Sequence, residues 1–176
     1  MIDIRAGDIL LYYHSPDLID RGIDFFEWFE HPYQPLYFYH AAVALSHDRQ
    51  IEAFRHVEIR AIPYTDRPFM IFRPPICDSV IDKGLDHIQR YVGQSYDYTV
   101  IVDDALRYVS HNRIHLPVSW IESDERKEKD CSALVVKYLV ATRMLKALRS
   151  SHNNLTLDRN ASPEDLYILL RSYKVG

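Results

Sequence analysis

The first part of the chain carries short apolar runs of a length typical of strands rather than helices. The run Ile9–Tyr13 follows the turn signal Gly7-Asp8 and predicts a first strand. Polar or proline-containing turns then separate further runs that are rich in Val, Ile, Tyr and Phe. These runs predict four more strands, over residues 37–46, 50–55, 57–62 and 68–73.

Longer segments show apolar residues at helical spacing. The strongest of them, residues 130–148, lacks glycine and proline throughout and predicts one continuous helix. Just before it, residues 110–129 are polar and charged, which predicts a long loop. This loop is most simply solvated, and a lid over Cys131 is the alternative that its position leaves open. The other predicted helices cover residues 15–31, 79–91 and 97–109, and a short terminal helix begins at Ser162-Pro163-Glu164-Asp165.

The order of these elements is strand, helix, β-meander and then helices, which predicts an α+β fold. At 176 residues the chain is most simply one domain, spanning residues 1–176. Its net charge of -4 and pI near 6.1 argue against an extended nucleic-acid surface. No metal or other cofactor is expected, since His111 and His115 lack a third ligand.

Two cysteines are too few for a disulfide-stapled secreted domain and fit a reducing compartment. The first residues lack the basic-then-apolar pattern of a signal peptide, and no apolar run approaches the roughly 20 residues of a membrane span. The cytoplasm is therefore the default location. The oligomeric state cannot be deduced from the sequence.

Cys131 stands at the beginning of the predicted helix over residues 130–148. A cysteine in a first helical turn faces unpaired backbone N–H groups and the positive end of the helix dipole, and both favour thiolate over thiol. Such a thiolate becomes a nucleophile when a histidine reaches it. His40, at the start of a strand-like segment, and Glu52, twelve residues later, complete a candidate Cys-His-Glu set. Taken alone, a cysteine, a histidine or a glutamate in such a position is more often structural than catalytic. Cys77 does not stand at the start of a long predicted helix as Cys131 does, so it is expected to be structural.

The hairpin between the second and third predicted strands decides whether His40 and Glu52 meet. If His47 is the centre of an odd-length loop, residue 42 pairs with residue 52, so that His40 and Glu52 share a face as diagonal neighbours. A two-residue turn would place them on opposite faces, and the chain lacks the Asn-Gly or Asp-Gly pair typical of that turn. We therefore predict the odd loop, with Glu52 orienting His40 and His40 accepting the proton of Cys131.

Six short motifs occur in order along the chain: Gly7-Asp8-Ile9-Leu10, His40-Ala41-Ala42-Val43-Ala44, Glu52-Ala53, Gly93-Gln94-Ser95-Tyr96-Asp97-Tyr98, Asp130-Cys131-Ser132 and Ser162-Pro163-Glu164-Asp165-Leu166. Their order resembles that of the permuted NlpC/P60 papain-like family, which includes the YiiX-like thiol hydrolases. In that family the histidine strand precedes the cysteine helix. The resemblance implies a circularly permuted papain-like fold, with an antiparallel β-meander or barrel packed against helices.

The same resemblance implies that Cys131 is the nucleophile, His40 the base and Glu52 the third polar residue of a triad. One position departs from the pattern, because permuted members often carry Cys-Ser-Glu where this chain has Ala133. The implied activity is that of a cysteine peptidase or amidase that forms an acyl-thioester on a peptide-like substrate.

Two other functions stay open at this stage. The Tyr- and Phe-rich segment 25–39 would suit an acyl chain, so a lipid acyl hydrolase or acyltransferase similar to the lecithin retinol acyltransferase group is an alternative. A binding or structural protein that kept the fold and lost turnover is another. Tyr12, Tyr13 and Tyr98 are candidates for contacts in a cleft.

Overall fold

Five apolar runs form five strands, close to the bounds that the sequence pattern predicts. In the computed structural model, all neighbouring strands are antiparallel and their order in the sheet is β4-β3-β2-β1-β5. Strands β1 to β4 follow one another as a meander, and β5 returns to pair with the other side of β1. The strands are β1 (Ile9–Tyr13), β2 (Phe38–Ala44), β3 (Arg49–Ala53), β4 (Val57–Ala61) and β5 (Phe69–Phe72).

The structure describes residues 3–13, 38–54, 56–94, 131–151 and 161–175, without the side chains of 149–151. The predicted helices over residues 15–31 and 97–109 lie outside these ranges, as does the predicted loop over 110–129 with its alternative role as a lid. The described helices are α1 (Asp78–Gln89), α2 (Cys131–Ala141), α3 (Met144–Ser151) and α4 (Pro163–Leu170), and a 3₁₀ turn (Arg171–Tyr173) follows α4.

These helices pack against the sheet, so the described fold is α+β, as predicted. None of the helices in the described ranges is long and apolar enough to cross a membrane.

The prediction of one continuous helix over residues 130–148 is wrong. Helix α2 ends before Arg143, which has a left-handed backbone with a φ of 59°, a conformation uncommon outside glycine. The Thr142 hydroxyl donates back to the carbonyl oxygens of Tyr138 and Leu139, at 3.0 and 3.2 Å. The break turns α3 so that its own apolar side chains, Met144, Leu145 and Leu148, are buried in the same core as α2.

Both faces of the central strand β2 are covered, which is why all seven of its residues are buried. Alternate side chains of the sheet point to the two faces. On one face, residues of β1 to β3 pack with the helices; this group includes Ile9, Leu11, Ala41, Val43, Ile51, Leu134 and Leu166. On the other face lies a smaller cluster that includes Leu10, Tyr12, Tyr39, Ala42, Ala44 and Ile71.

The predicted turn at Gly7-Asp8 is present, and its two residues also make tertiary contacts. Gly7 has a φ of 85°, and a Cβ there would lie 2.5 Å from the Tyr138 hydroxyl, so only glycine fits. Asp8 is buried and accepts two hydrogen bonds of 2.8 Å from the Arg73 guanidinium and one from the Arg5 backbone N–H. This bidentate pair joins the beginning of β1 to the end of β5.

The terminal helix α4 begins as its sequence predicts. Ser162 accepts a hydrogen bond from the Asp165 backbone N–H, and the Asp165 carboxylate accepts one from the Ser162 backbone N–H. This capping box satisfies two of the N–H groups that a helix start leaves unpaired. It also fixes the neighbouring Glu164, which is fully buried.

Glu164 is the one buried carboxylate whose oxygens both lack a hydrogen-bond partner within the described part of the chain. Burial raises the pKa of Glu164 from 4.5 to about 7. An acid whose pKa is raised by folding is more stable in its protonated form. The folded protein therefore holds this proton more tightly than the unfolded chain.

Replacing Glu164 by glutamine is expected to stabilise the protein increasingly as the pH rises. Stability from the protonated Glu164 is fully present below the unfolded pKa of 4.5 and is lost as the pH rises through about 7. Glutamine has the same shape and does not titrate, so its advantage in unfolding free energy should grow by about 2–3 kcal/mol across this window. Urea unfolding of both proteins below and above the window measures the growth, and a pH-independent difference would contradict it.

Candidate active site

The backbone around His40 departs from a regular ladder. Tyr12 of β1 pairs with His40, but Tyr13 pairs with Phe38, which leaves Tyr39 as the extra residue of a β-bulge. Bulges of this kind re-aim the side chains beside them and are common next to active sites. His40 thus lies on a buried strand directly beside a bulge, which changes the direction of the side chains next to it.

The predicted hairpin register is confirmed. Ala42 pairs with Glu52 and Ala44 with Gln50, as an odd-length loop around His47 requires. His40 and Glu52 consequently share one face of the sheet, and His40 Nε2 lies 2.8 Å from Glu52 Oε2. Both side chains are buried, with 5% and 1% of their surfaces exposed, so little water competes with this contact.

Helix α2 begins at Cys131 and packs across β2 and β3, which brings its first turn to the histidine strand. Of the influences that raise the pKa of His40, that of the Cys131 side chain is the largest, so the two side chains are close neighbours. Because Nε2 of His40 is engaged by Glu52, Nδ1 is the ring nitrogen left for the sulfur. The structure therefore brings together all three residues of the predicted Cys-His-Glu set.

The charge state of His40 follows from these neighbours. Burial alone would lower its pKa, but the charges of Cys131 and Glu52 and their hydrogen bonds to the ring outweigh burial. The net effect raises the pKa of His40 from 6.5 to about 9. At neutral pH the ring is accordingly an imidazolium that lies between the Cys131 side chain and the Glu52 carboxylate.

Glu52 is surrounded by donors. Besides His40, the Gln50 amide donates to Oε2 over 2.9 Å, Arg60 Nη1 lies 3.4 Å from Oε1, and Arg67 Nη1 lies 3.6 Å from Oε2. Burial alone would raise the pKa of Glu52, but the hydrogen bond and charge of His40, followed by the two arginines, lower it. The carboxylate stays ionised and can orient the imidazolium rather than take its proton.

Sequence reasoning missed Gln50 and Arg67. The signal for Gln50 was present, because residues two apart on a strand share a face and Gln50 precedes Glu52 by two. Arg67 lies between β4 and β5, and its guanidinium stacks 4.8 Å from the centre of the Tyr12 ring. No local pattern places a loop arginine over a ring from another strand.

Of the tyrosines considered as cleft contacts, Tyr12 lies closest to the candidate site, because its hydroxyl donates to Oε1 of Gln50, the neighbour of Glu52 on the same face. Tyr13 is half-buried against the helix-side core, whereas Tyr98 lies outside the described residues, as do His111 and His115.

Cys77 is exposed, with Ser79 Oγ 3.6 Å from its sulfur. Among the residues that the structure describes, no group of three or more His, Cys, Asp or Glu side chains is arranged to hold a metal ion.

Chemically, the arrangement combines a thiol, a cation able to release a proton, and a fixed anion behind that cation. Comparison with known protein families, curated proteins and solved structures finds no match to this chain. The arrangement of Cys131, His40 and Glu52 is therefore the basis on which a function can be argued.

Proposed function

We propose that this protein is a cysteine hydrolase of the permuted papain-like type, acting on an amide or ester through an acyl-thioester on Cys131. The observation that carries the proposal is the buried contact of His40 with Glu52 on one side and Cys131 on the other. A histidine bonded to a carboxylate and to a thiol at the start of a helix is the arrangement that activates a cysteine nucleophile.

In the first step, the Cys131 thiolate attacks the carbonyl carbon, and its electron pair forms the new C–S bond while the carbonyl oxygen takes the negative charge. The His40 imidazolium then gives its proton to the departing nitrogen or oxygen, and the acyl-thioester remains. Water next attacks the thioester while His40 accepts its proton, which releases the acid and restores the thiolate. Glu52 keeps the ring oriented throughout.

The oxyanion that forms in both steps needs donors. Backbone N–H groups in the first turn of a helix have no intrahelical partner, and the Cys131 N–H is one of these groups. Such a donor, aimed at the developing charge, is often the largest single contribution to catalysis of acyl transfer. We assign this role to the Cys131 backbone.

A peptide-like substrate is the first choice. The buried pair of His40 and Glu52 beside Cys131 favours an enzyme over a binding protein that lost turnover. The influence of Cys131 on the His40 ring supports the enzyme rather than the binding protein. The lipid alternative depends on the aromatic segment 25–39, of which only residues 38 and 39 lie in the described ranges. No described contact favours an acyl chain.

Acyl trapping tests the proposal without knowledge of the natural substrate. The full chain is incubated with a small activated ester, quenched in acid and digested, and the acyl mass is located by mass spectrometry. We expect the acyl group on Cys131, no trapping in Cys131→Ala, and full trapping in the control Cys77→Ala. Trapping at the exposed Cys77 alone, or at neither cysteine, would refute the hydrolase.

A further inference from the structure

Four polar side chains from three neighbouring strands close a ring next to the candidate catalytic pair. The Tyr12 hydroxyl donates to Gln50 Oε1, and Gln50 Nε2 donates to Glu52 Oε2 at 2.9 Å. The same carboxylate oxygen binds His40 Nε2 at 2.8 Å. Tyr12 completes the ring because it is the cross-strand partner of His40, with the two ring centres 5.7 Å apart.

The ring fixes which end of the Gln50 amide faces Glu52. An amide has one acceptor end and one donor end, and the Tyr12 hydroxyl occupies the acceptor. Burial and the charge of Glu52 raise the pKa of Tyr12, so its hydroxyl keeps the proton that it donates. Gln50 must then present its NH₂ group to the carboxylate, where an oxygen would be repelled.

The Gln50 NH₂ group donates to Oε2 of Glu52, the same oxygen that binds His40. Arg60 attracts the other oxygen of Glu52 at 3.4 Å, and it is half-exposed. Arg67 approaches Oε2 only to 3.6 Å. Gln50, fully buried, is thus the closer second donor on the oxygen that binds the histidine, and it opposes any rotation of the carboxylate toward Arg60.

We propose that Tyr12 and Gln50 are positioning residues, whose hydrogen bonds hold the Glu52 oxygen in place and so aim the His40 ring at Cys131. This inference rests on the proposed hydrolase function, because it specifies how the cysteine is kept reactive. Neither residue touches the reacting atoms. If their role were purely structural, their hydrogen bonds would stabilise the fold without affecting the reactivity of Cys131.

The test uses iodoacetamide alkylation of the intact protein, with both cysteines read by mass spectrometry in the same sample. An ordinary thiol is about 1% ionised near pH 6.5 and mostly ionised near pH 9.5. The measured quantity is the Cys131-to-Cys77 rate ratio at the lower pH, divided by the same ratio at the higher pH. This normalised ratio cancels the difference in access between a buried and an exposed sulfur and is expected to exceed about 10 in the wild type.

We expect Tyr12→Phe and Gln50→Met to lower the normalised ratio about three- to tenfold, the effect of losing one ordinary hydrogen bond. Methionine has a shape close to that of glutamine but no donor. Tyr138→Phe is the matched control, since it also removes a buried phenol hydroxyl, but one without a hydrogen-bond partner within the described residues. It should leave the ratio unchanged.

The outcomes separate the two proposals. A wild-type normalised ratio near one refutes the activated cysteine itself, and the positioning role with it. A high wild-type ratio that persists in Tyr12→Phe and Gln50→Met, whatever their thermal stability, overturns the positioning role and leaves the hydrolase standing. An equal fall in Tyr138→Phe also overturns it. If Gln50→Met does not fold, Tyr12→Phe decides alone.

Discussion

Replacing His40 by alanine is expected to slow the acylation of Cys131 by about 10²–10⁴-fold, the usual contribution of a positioned acid–base group. Without the imidazolium, the sulfur loses the cation that favours its thiolate and the departing group loses its proton donor. The rate of acyl transfer from an activated ester, followed by mass spectrometry of Cys131, measures the loss.

The matched control is His47→Ala. His47 also lies near a carboxylate, with Nδ1 3.8 Å from Asp48 Oδ1, but it is exposed and sits in the loop between β2 and β3. Its replacement should leave the acylation rate within a factor of about two, as expected for a change at an exposed ion pair. If His40→Ala were as mild as His47→Ala, His40 would not act as the acid and base of this site.

Replacing Glu52 by leucine is expected to destabilise the protein by about 3–5 kcal/mol, because a buried ion pair is broken and its partners remain. His40 and Gln50 would each keep a buried donor without its acceptor, and Arg67 would lose its carboxylate. Urea unfolding at neutral pH measures the change. The same variant should also lose the rapid acylation of Cys131.

Glu58 offers a close control for this substitution. It pairs directly with Glu52 across β3 and β4 and shares Arg60 with it, with Glu58 Oε1 3.6 Å from Arg60 Nη1. Glu58 is more exposed, so Glu58→Leu should cost no more than about 1 kcal/mol. A similar cost for the two leucine variants would show that the buried contacts of Glu52 contribute little to stability.

The strands and the pairing of His40 with Glu52 could be predicted because strand geometry is local. Alternation along the chain and the parity of one loop determine which residues share a face, and Ala42 pairs with Glu52 as that reasoning requires. The approach of Cys131 to His40 rested on the residue types and the family resemblance, since no spacing rule joins residues so far apart in sequence. In the structure Cys131 lies close enough to the His40 ring to raise its pKa.

The failures have a common physical cause in tertiary packing. Good helix formers surround Arg143, but burying Met144 and Leu148 against the same core outweighs their preference for a continuous helix. Similarly, a glycine-aspartate pair reads as a turn, and only the fold reveals that Arg73 is paired with Asp8. Arg67, in the loop before β5, reaches Glu52 on β3, a contact that no sequence period encodes.

The central claim is that His40 carries a proton between Cys131 and Glu52, and an NMR titration of its ring tests this most directly. The His40 resonance, assigned by its absence in His40→Gln, should titrate with a pKa of about 9 in the wild type. It should shift to a lower pKa in Cys131→Ala, because the strongest influence opposing burial is then removed. A His40 that titrates at or below its ordinary value of 6.5, and does not respond to the loss of Cys131, would contradict the account.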